Sequence, residues 1–275
     1  MKLDKFIVQG RVKDDTIMEA AAVPLIKILS SNTQMVIPIF QREYSWNEEQ
    51  VKTLWDDIIR LYENIERSDN KNQRHFLGPI VKANITKSSV DTQKYHLIDG
   101  QQRITTLLIL LASLRNKFKI TNEPHVKRIE SNNLMNLGED DDNLYKLLPS
   151  EGDREIFKSI MKGEPVSTKS KLNDTLIFFS RKIDDVECKV NFEKLRDIIV
   201  NNLILVNIDV SEHENPYLIF ESLNATGTPL TQADLIRNYI FMKISDESKQ
   251  KELYRLYWRP METALGDNLK VFFWQ

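Results

Sequence analysis

Apolar residues recur along this chain with two periods, and the switches between them mark out its elements. Residues 21–30 (AAVPLIKILS) predict a short helix, with Pro24 tolerated in its first turn. Met35-Val36-Ile37-Pro38-Ile39 predicts a short strand. Pro38 has no ladder N–H, so this run is an edge strand or stops there. Asn47-Glu48-Glu49-Gln50 has the spacing of a capping box, and Val51, Leu54, Trp55, Ile58, Ile59 and Tyr62 follow at helical spacing, predicting a helix over 48–65. Phe76–Thr86 and Tyr95–Ile98 read as strands joined through the polar stretch Lys87–Gln93 as a hairpin. Asp99-Gly100 breaks the second strand, and Gln101–Phe118 reads as a long helix, apolar on nearly all sides from Ile104 to Leu111 and therefore buried.

Beyond residue 118 the character changes. Glu139-Asp140-Asp141-Asp142 reads as a solvated acidic loop, and 153–162, 171–185 and 191–202 show helical periodicity. Leu203–Val210 reads as a strand returning to the sheet, and Pro216–Leu223 as a short helix. Thr231-Gln232-Ala233-Asp234 is a second capping-box spacing, opening a helix to about Lys243, with further helix over 247–275. These elements predict an α+β fold in three parts. A core of strands and helices spans 1–118 after a polar lead-in over 1–20. A helical insertion spans 119–202, and a returning strand with helices spans 203–275.

Composition narrows the function classes. The chain has 275 residues and one cysteine, Cys188, which excludes a disulfide framework and a cysteine-based zinc site. The lone cysteine suits a reducing, cytoplasmic setting, and no apolar run is long enough for a membrane helix. Up to Phe118 there are 17 Lys+Arg against 14 Asp+Glu; beyond it, 21 against 26. Neither part has the strongly basic balance of a dedicated DNA-binding domain, so any nucleic-acid contact is local. The end, Phe272-Phe273-Trp274-Gln275, is unusually aromatic and reads as a chain cut short of a further segment.

Three motifs carry candidate chemistry. In Ile98-Asp99-Gly100-Gln101-Gln102-Arg103 a strand runs through a glycine into a helix. The first-turn N–H groups lack helical partners and the helix dipole favours an anion there, so the element suits a phosphate or nucleotide. The same residues can also be read as an Asp99 N-cap, a Gln102 capping box and a surface Arg103. Gln41-Arg42-Glu43-Tyr44-Ser45-Trp46, with Phe40, sets a guanidinium and an amide among aromatics. These suit base stacking and phosphate pairing, or a wedge of aromatics against the core. Phe220–Leu230 followed by Thr231–Asn238 suits a helix end, a turn at Asn224 and Gly227, and a new helix on which Asp234 can meet Arg237 or Asn238. Gly-x-x-x-x-Gly-Lys-Ser/Thr, Gly-x-Gly-x-x-Gly and His-Glu-x-x-His patterns are absent. His213-x-x-Pro216 has no neighbouring metal-ligand cluster.

Taken in order, Ile37-Pro38, Gln41-Arg42, Tyr44, Trp46, Phe76-Leu77-Gly78, Ile98 to Leu107 and Phe220 to Asn238 resemble the N-terminal domain of GmrSD-type modification-dependent restriction systems, which SspE-like and BrxU-like phage-defence proteins share. The resemblance covers about 30–240. It implies a ParB/sulfiredoxin-like small mixed sheet with flanking helices and an added helical region. It implies an NTP-binding and hydrolysing sensor that licenses a C-terminal or separate His-Asn-His-type nuclease to cut modified phage DNA. No such His and Asn cluster follows residue 240, so nuclease activity is not expected of this chain. On this reading Asp99, Gln101, Gln102 and Arg103 are catalytic, and Asp99 holds Mg²⁺. Gln41, Arg42, Tyr44, Gly100, Arg103, Thr105, Asn224 and Asp234 bind the nucleotide. A DNA-binding module that recognises modified DNA without NTP hydrolysis is the alternative.

Overall fold

In the computed structural model, residues 19–29, 32–68, 70, 72–86, 92–121, 123–186, 189–210, 231–244 and 246–272 are described. The strands are β1 (Glu19–Pro24), β2 (Thr33–Val36), β3 (His75–Asn84), β4 (Gln93–Asp99), β5 (Leu147–Leu148) and β6 (Leu203–Val210). They form one mixed sheet of order β1-β6-β3-β4-β2-β5. β3 pairs with β6 in parallel and with β4 antiparallel. β2 lies parallel to both β4 and β5. The architecture is α+β, with helices making up most of the described residues.

The principal helices are α1 (Leu25–Leu29), α2 (Glu48–Ser68), α3 (Gln101–Thr121), α4 (Glu123–Ile129), α5 (Arg154–Lys162), α6 (Lys171–Asp185), α7 (Phe192–Asn202) and α8 (Gln232–Met242). α9 (Glu247–Leu253), α10 (Arg259–Leu265) and α11 (Leu269–Phe272) follow, with a π-helical turn at Tyr254–Trp258. Alternation along the strands sorts side chains between two faces. Ile80, Leu97 and Leu205 join the main core, which gathers residues of α1 to α7 around α3. Val81, Ile98, Ile208 and Val210 form a smaller cluster against Met242 of α8. A third cluster sets Phe40 against Phe241 and Trp258.

Most predicted elements are present, and the differences have physical causes. The segment 21–30 is strand as far as Pro24 and helix only over Leu25–Leu29. Val23 and Pro24 stand opposite Leu205 and Ile204, and a proline at the end of an edge strand gives up no ladder bond. β2 stops two residues before Pro38 and is flanked by β4 and β5 rather than lying at an edge. The acidic stretch near 140 is tied down. Glu139 Oε1 accepts from Thr92 Oγ1 at 2.5 Å, and Asp142 meets Lys158 Nζ at 2.6 Å. The predicted helix Pro216–Leu223 lies outside the described residues.

From Ile104 to Arg115 every side chain of α3 is buried, so the helix is surrounded rather than amphipathic. Its hydroxyls bond back into their own helix: Thr105 Oγ1 to Gln101 O at 2.7 Å, and Ser113 Oγ to Ile109 O at 2.9 Å. Arg115 is fully buried. Its guanidinium donates to the carbonyls of Met161 and, at 2.9 Å, Ile160 in the last turn of α5, where Ile160 O also accepts from Gly163 N–H at 3.0 Å. Glu130 Oε1 lies 3.5 Å away. Gly163, at φ 72°, ends α5, and a Cβ there would stand 2.8 Å from Arg115 Nη2. One side chain thus pins the helical region to α3.

Arg115→Met is expected to destabilise the fold by about 3 kcal/mol, because it leaves the Met161 carbonyl and Glu130 without the guanidinium. Denaturant unfolding checks this, and an unchanged midpoint would contradict it. A second expectation concerns pH. Burial pulls the Lys146 ammonium from 10.5 down to about 8. Between these values the unfolded chain holds more protons there, so the Lys146 contribution is complete above about pH 10.5 and is lost as pH falls toward 8. The stability of Lys146→Met relative to the parent should therefore rise as pH falls from about 10.5 toward 8, and a difference that stays flat across that window would contradict this.

Candidate anion-binding site

The turn from β4 into α3 is built around a glycine. Gly100 has φ 88°, and a Cβ there would meet Ile80 Cγ2 at 2.6 Å and Pro79 O at 3.2 Å. Both backbone sign and space demand glycine. The first helical bond of α3 is Ile104 N–H to Gly100 O at 3.0 Å. The N–H groups of Gln101, Gln102 and Arg103 therefore have no partner within the helix, and Gly100, not Asp99, is the cap.

The two amides here do different things. Gln102 Oε1 accepts from Ser45 N–H at 2.8 Å and from Trp46 N–H at 3.4 Å, while its Nε2 donates to Glu43 O at 3.3 Å. It fastens the 43–46 loop to α3 instead of closing a capping box. Gln101 is buried, and its Oε1 accepts no hydrogen bond among the described residues. Arg103 donates to Pro79 O, and Gly78, at φ 96°, leaves its guanidinium room.

The 38–46 loop approaches from the other side. Gln41 Nε2 donates to Ile98 O at 2.9 Å, holding the loop to β4. Tyr44 is buried, with its hydroxyl 2.7 Å from Thr106 Oγ1 and its N–H on Asp153 Oδ2 at 2.6 Å. Burial pushes that phenol up to about 12, so it stays protonated. Arg42 is half-buried, and its Nε lacks a hydrogen-bond partner among the described residues. Burial lowers its pKa; Asp234 and Asp99 oppose this, and Arg237 adds to it. Burial lowers that of Arg103 too, again opposed by Asp99.

Helix α8 closes the third side. Asp234 Oδ2 accepts from Thr231 N–H at 3.0 Å, completing the predicted capping box, and its Oδ1 meets Arg237 Nη2 at 2.7 Å. Arg237 also pairs with Glu262, which accepts from Trp258 Nε1 at 2.8 Å and Tyr254 Oη at 3.1 Å. Asn238 is buried with its Oδ1 unpartnered among the described residues.

The structure thus brings Asp99, Arg42, Arg103, Asp234 and Arg237 within electrostatic reach around the Gly100 turn. Gln41, Gln101 and Gln102 border the same turn. Tyr44 and Thr105 instead lie buried, with their hydroxyls bonded within the protein. Asn224 lies outside the described residues. Sequence reasoning missed Asp153 and Glu262. The contacts that tie them to the site, Tyr44 N–H for Asp153 and Arg237 for Glu262, come from distant parts of the chain, so nothing in their local pattern marks them.

An α+β domain with a glycine-lined strand-to-helix turn ringed by guanidinium groups is the class these features define. The chain matches the family model of the GmrSD restriction endonuclease N-terminal domain over residues 25–241, and it belongs to that family. It is also similar to the uncharacterized protein MJ0686 of Methanocaldococcus jannaschii, 24% identical over 238 residues, which cover 78% of this chain and 40% of that protein. The chain therefore spans less than half the length of that relative. Among the described residues, no helix is long and apolar enough to cross a membrane.

Gly100→Ala is expected to lower stability by about 2 kcal/mol or more, from positive φ and the Ile80 contact together. Gly78→Ala should lose less, because its Cβ would meet the Arg103 guanidinium at an ordinary 3.4 Å. Thermal melts of the two variants check the order; equal losses would contradict it.

Proposed function

We propose that this domain binds a nucleoside triphosphate at the Gly100 turn and hydrolyses it, as the sensor of a restriction system that acts on modified phage DNA. The observation that carries this reading is the pairing of three N–H groups without helical partners with the Arg42 and Arg103 guanidiniums. Phosphates are recognised by both kinds of donor. Family membership supports the restriction role. Cleavage is assigned to a His-Asn-His-type nuclease in another domain or chain, and the setting to the cytoplasm.

In this reading the 101–103 N–H groups seat the phosphates, and Arg42 and Arg103 take up the charge that develops as the γ-phosphoryl leaves. The unpartnered Gln101 Oε1 accepts from the attacking water and orients it. Gln102, whose amide is already engaged, holds the loop that carries Arg42. Asp234 keeps Arg237 and the start of α8 in place. Among the described residues no three His, Cys, Asp or Glu side chains gather as a metal cage. Asp99 offers one hard oxygen donor, which is what Mg²⁺ needs when phosphates and water supply the rest. Bound there, the ion would neutralise phosphate charge.

Arg42→Ala should weaken NTP binding at least tenfold in calorimetry. Gln101→Ala should leave affinity intact and slow phosphate release about a hundredfold. Parental rates in Gln101→Ala would overturn its role. DNA binding without phosphate release from any NTP would favour the alternative, a hydrolysis-free reader of modified DNA.

A further inference from the structure

On the far side of the 43–46 loop lies a groove of about 610 Å³ between the start of α2 and the face of α6. Two aromatics, Trp46 and Phe178, line it together with Val51 and Ile177. Its cations are Lys171, Arg181 and Lys182, and its carboxylates are Glu48, Asp174 and Asp185. Ile177 is 41% exposed, a large aliphatic side chain facing water with no function yet assigned. Arg181 is exposed and enters no hydrogen bond or ion pair among the described residues. Lys182 Nζ sits 5.8 Å from the Phe178 ring centre.

We infer that this groove holds an unpaired stretch of a DNA strand, one base stacking on Trp46 and Phe178. Aromatic faces beside cations are the elements by which single strands are held, because every base offers a π-face and every linkage a phosphate. The spacing favours a strand over a free nucleotide. Lys171 and Arg181 stand ten residues apart on α6, a rise of about 15 Å at 1.5 Å per residue, so the cations are laid out along the groove as the linkages of a strand are. The carboxylates sharpen the ligand. They repel a purely ionic partner but accept hydrogen bonds from exocyclic amino groups, as Asp and Glu do from cytosine. The groove should therefore prefer cytosine or adenine to thymine.

The groove is wired to the phosphate site. Lys171 Nζ donates to Ser45 O at 3.0 Å, and the Ser45 and Trp46 N–H groups rest on Gln102. Thr175, also in the groove, donates to Tyr44 Oη at 3.3 Å, which in turn meets Thr106 of α3. A base seated against Trp46 thus presses on the loop that carries Arg42. The inference rests on the sensor reading for its partner, but its binding test needs no nucleotide, so the two can fail separately.

The test is fluorescence anisotropy with labelled twelve-residue oligo-dC, oligo-dA, oligo-dT and oligo-C RNA, without NTP. Arg181→Glu and Phe178→Leu, both outside the phosphate site, should each weaken oligo-dC binding about tenfold with NTP affinity unchanged; Phe178→Leu keeps an apolar side chain against the core and Phe179 while removing the stacking face. Oligo-dT should bind the parent more weakly than oligo-dC. Unchanged oligo-dC affinity in both variants, no binding by the parent, equal binding of all bases, or tighter binding of RNA than DNA would each overturn the proposal.

Discussion

From Ile104 to Arg115 helix α3 turns no side chain to solvent, so neither its axis nor its rotation is free. At roughly 1.5–3 kcal/mol for each large apolar side chain buried, this packing is a dominant stabilising term. It also fixes where the helix begins. Because Gly100 is wedged against Ile80 and Pro79, the open N–H groups of Gln101 to Arg103 point from one place. A surface helix of the same sequence could rock and would lose that aim. The site is thus a consequence of the core rather than an addition to it.

Around this fixed point the chain uses long-range polar contacts to recruit pieces from elsewhere. Gln102 ties in the 43–46 loop, and Gln41 ties the same loop to β4. Asp153, at the start of α5, holds the Tyr44 N–H, while Arg115 holds the end of that helix. Arg237 joins the cap of α8 to Glu262 and so to the aromatic side chains of the C-terminal helices. These contacts are charged or amide-based and largely shielded, where an unmade hydrogen bond is penalised most. They set the geometry of the loop that faces both the Gly100 turn and the aromatic groove.

Much of this was legible in the sequence because it is local. The capping boxes at Asn47 and Thr231, the buried period of α3 and the strand-glycine-helix turn each announce themselves within a few residues. What was not legible depends on distant partners. Pro24 reads as a helix start until β6 pairs with its strand. Gln102 reads as a capping residue until a loop fifty-odd positions earlier claims its amide. Arg115 reads as one more polar residue on a helix, although it is fully buried. Gln101 and Gln102 are chemically identical, and only the fold separates the one that holds a loop from the one with an open oxygen.

The central claim is that the α3 N-terminus is where a triphosphate sits. The most direct measurement is a crystal structure of the domain soaked with a non-hydrolysable triphosphate analogue. The account predicts phosphate density against the 101–103 N–H groups, flanked by the guanidiniums of Arg42 and Arg103. Phosphates seated elsewhere, with the Gly100 turn empty, would contradict it.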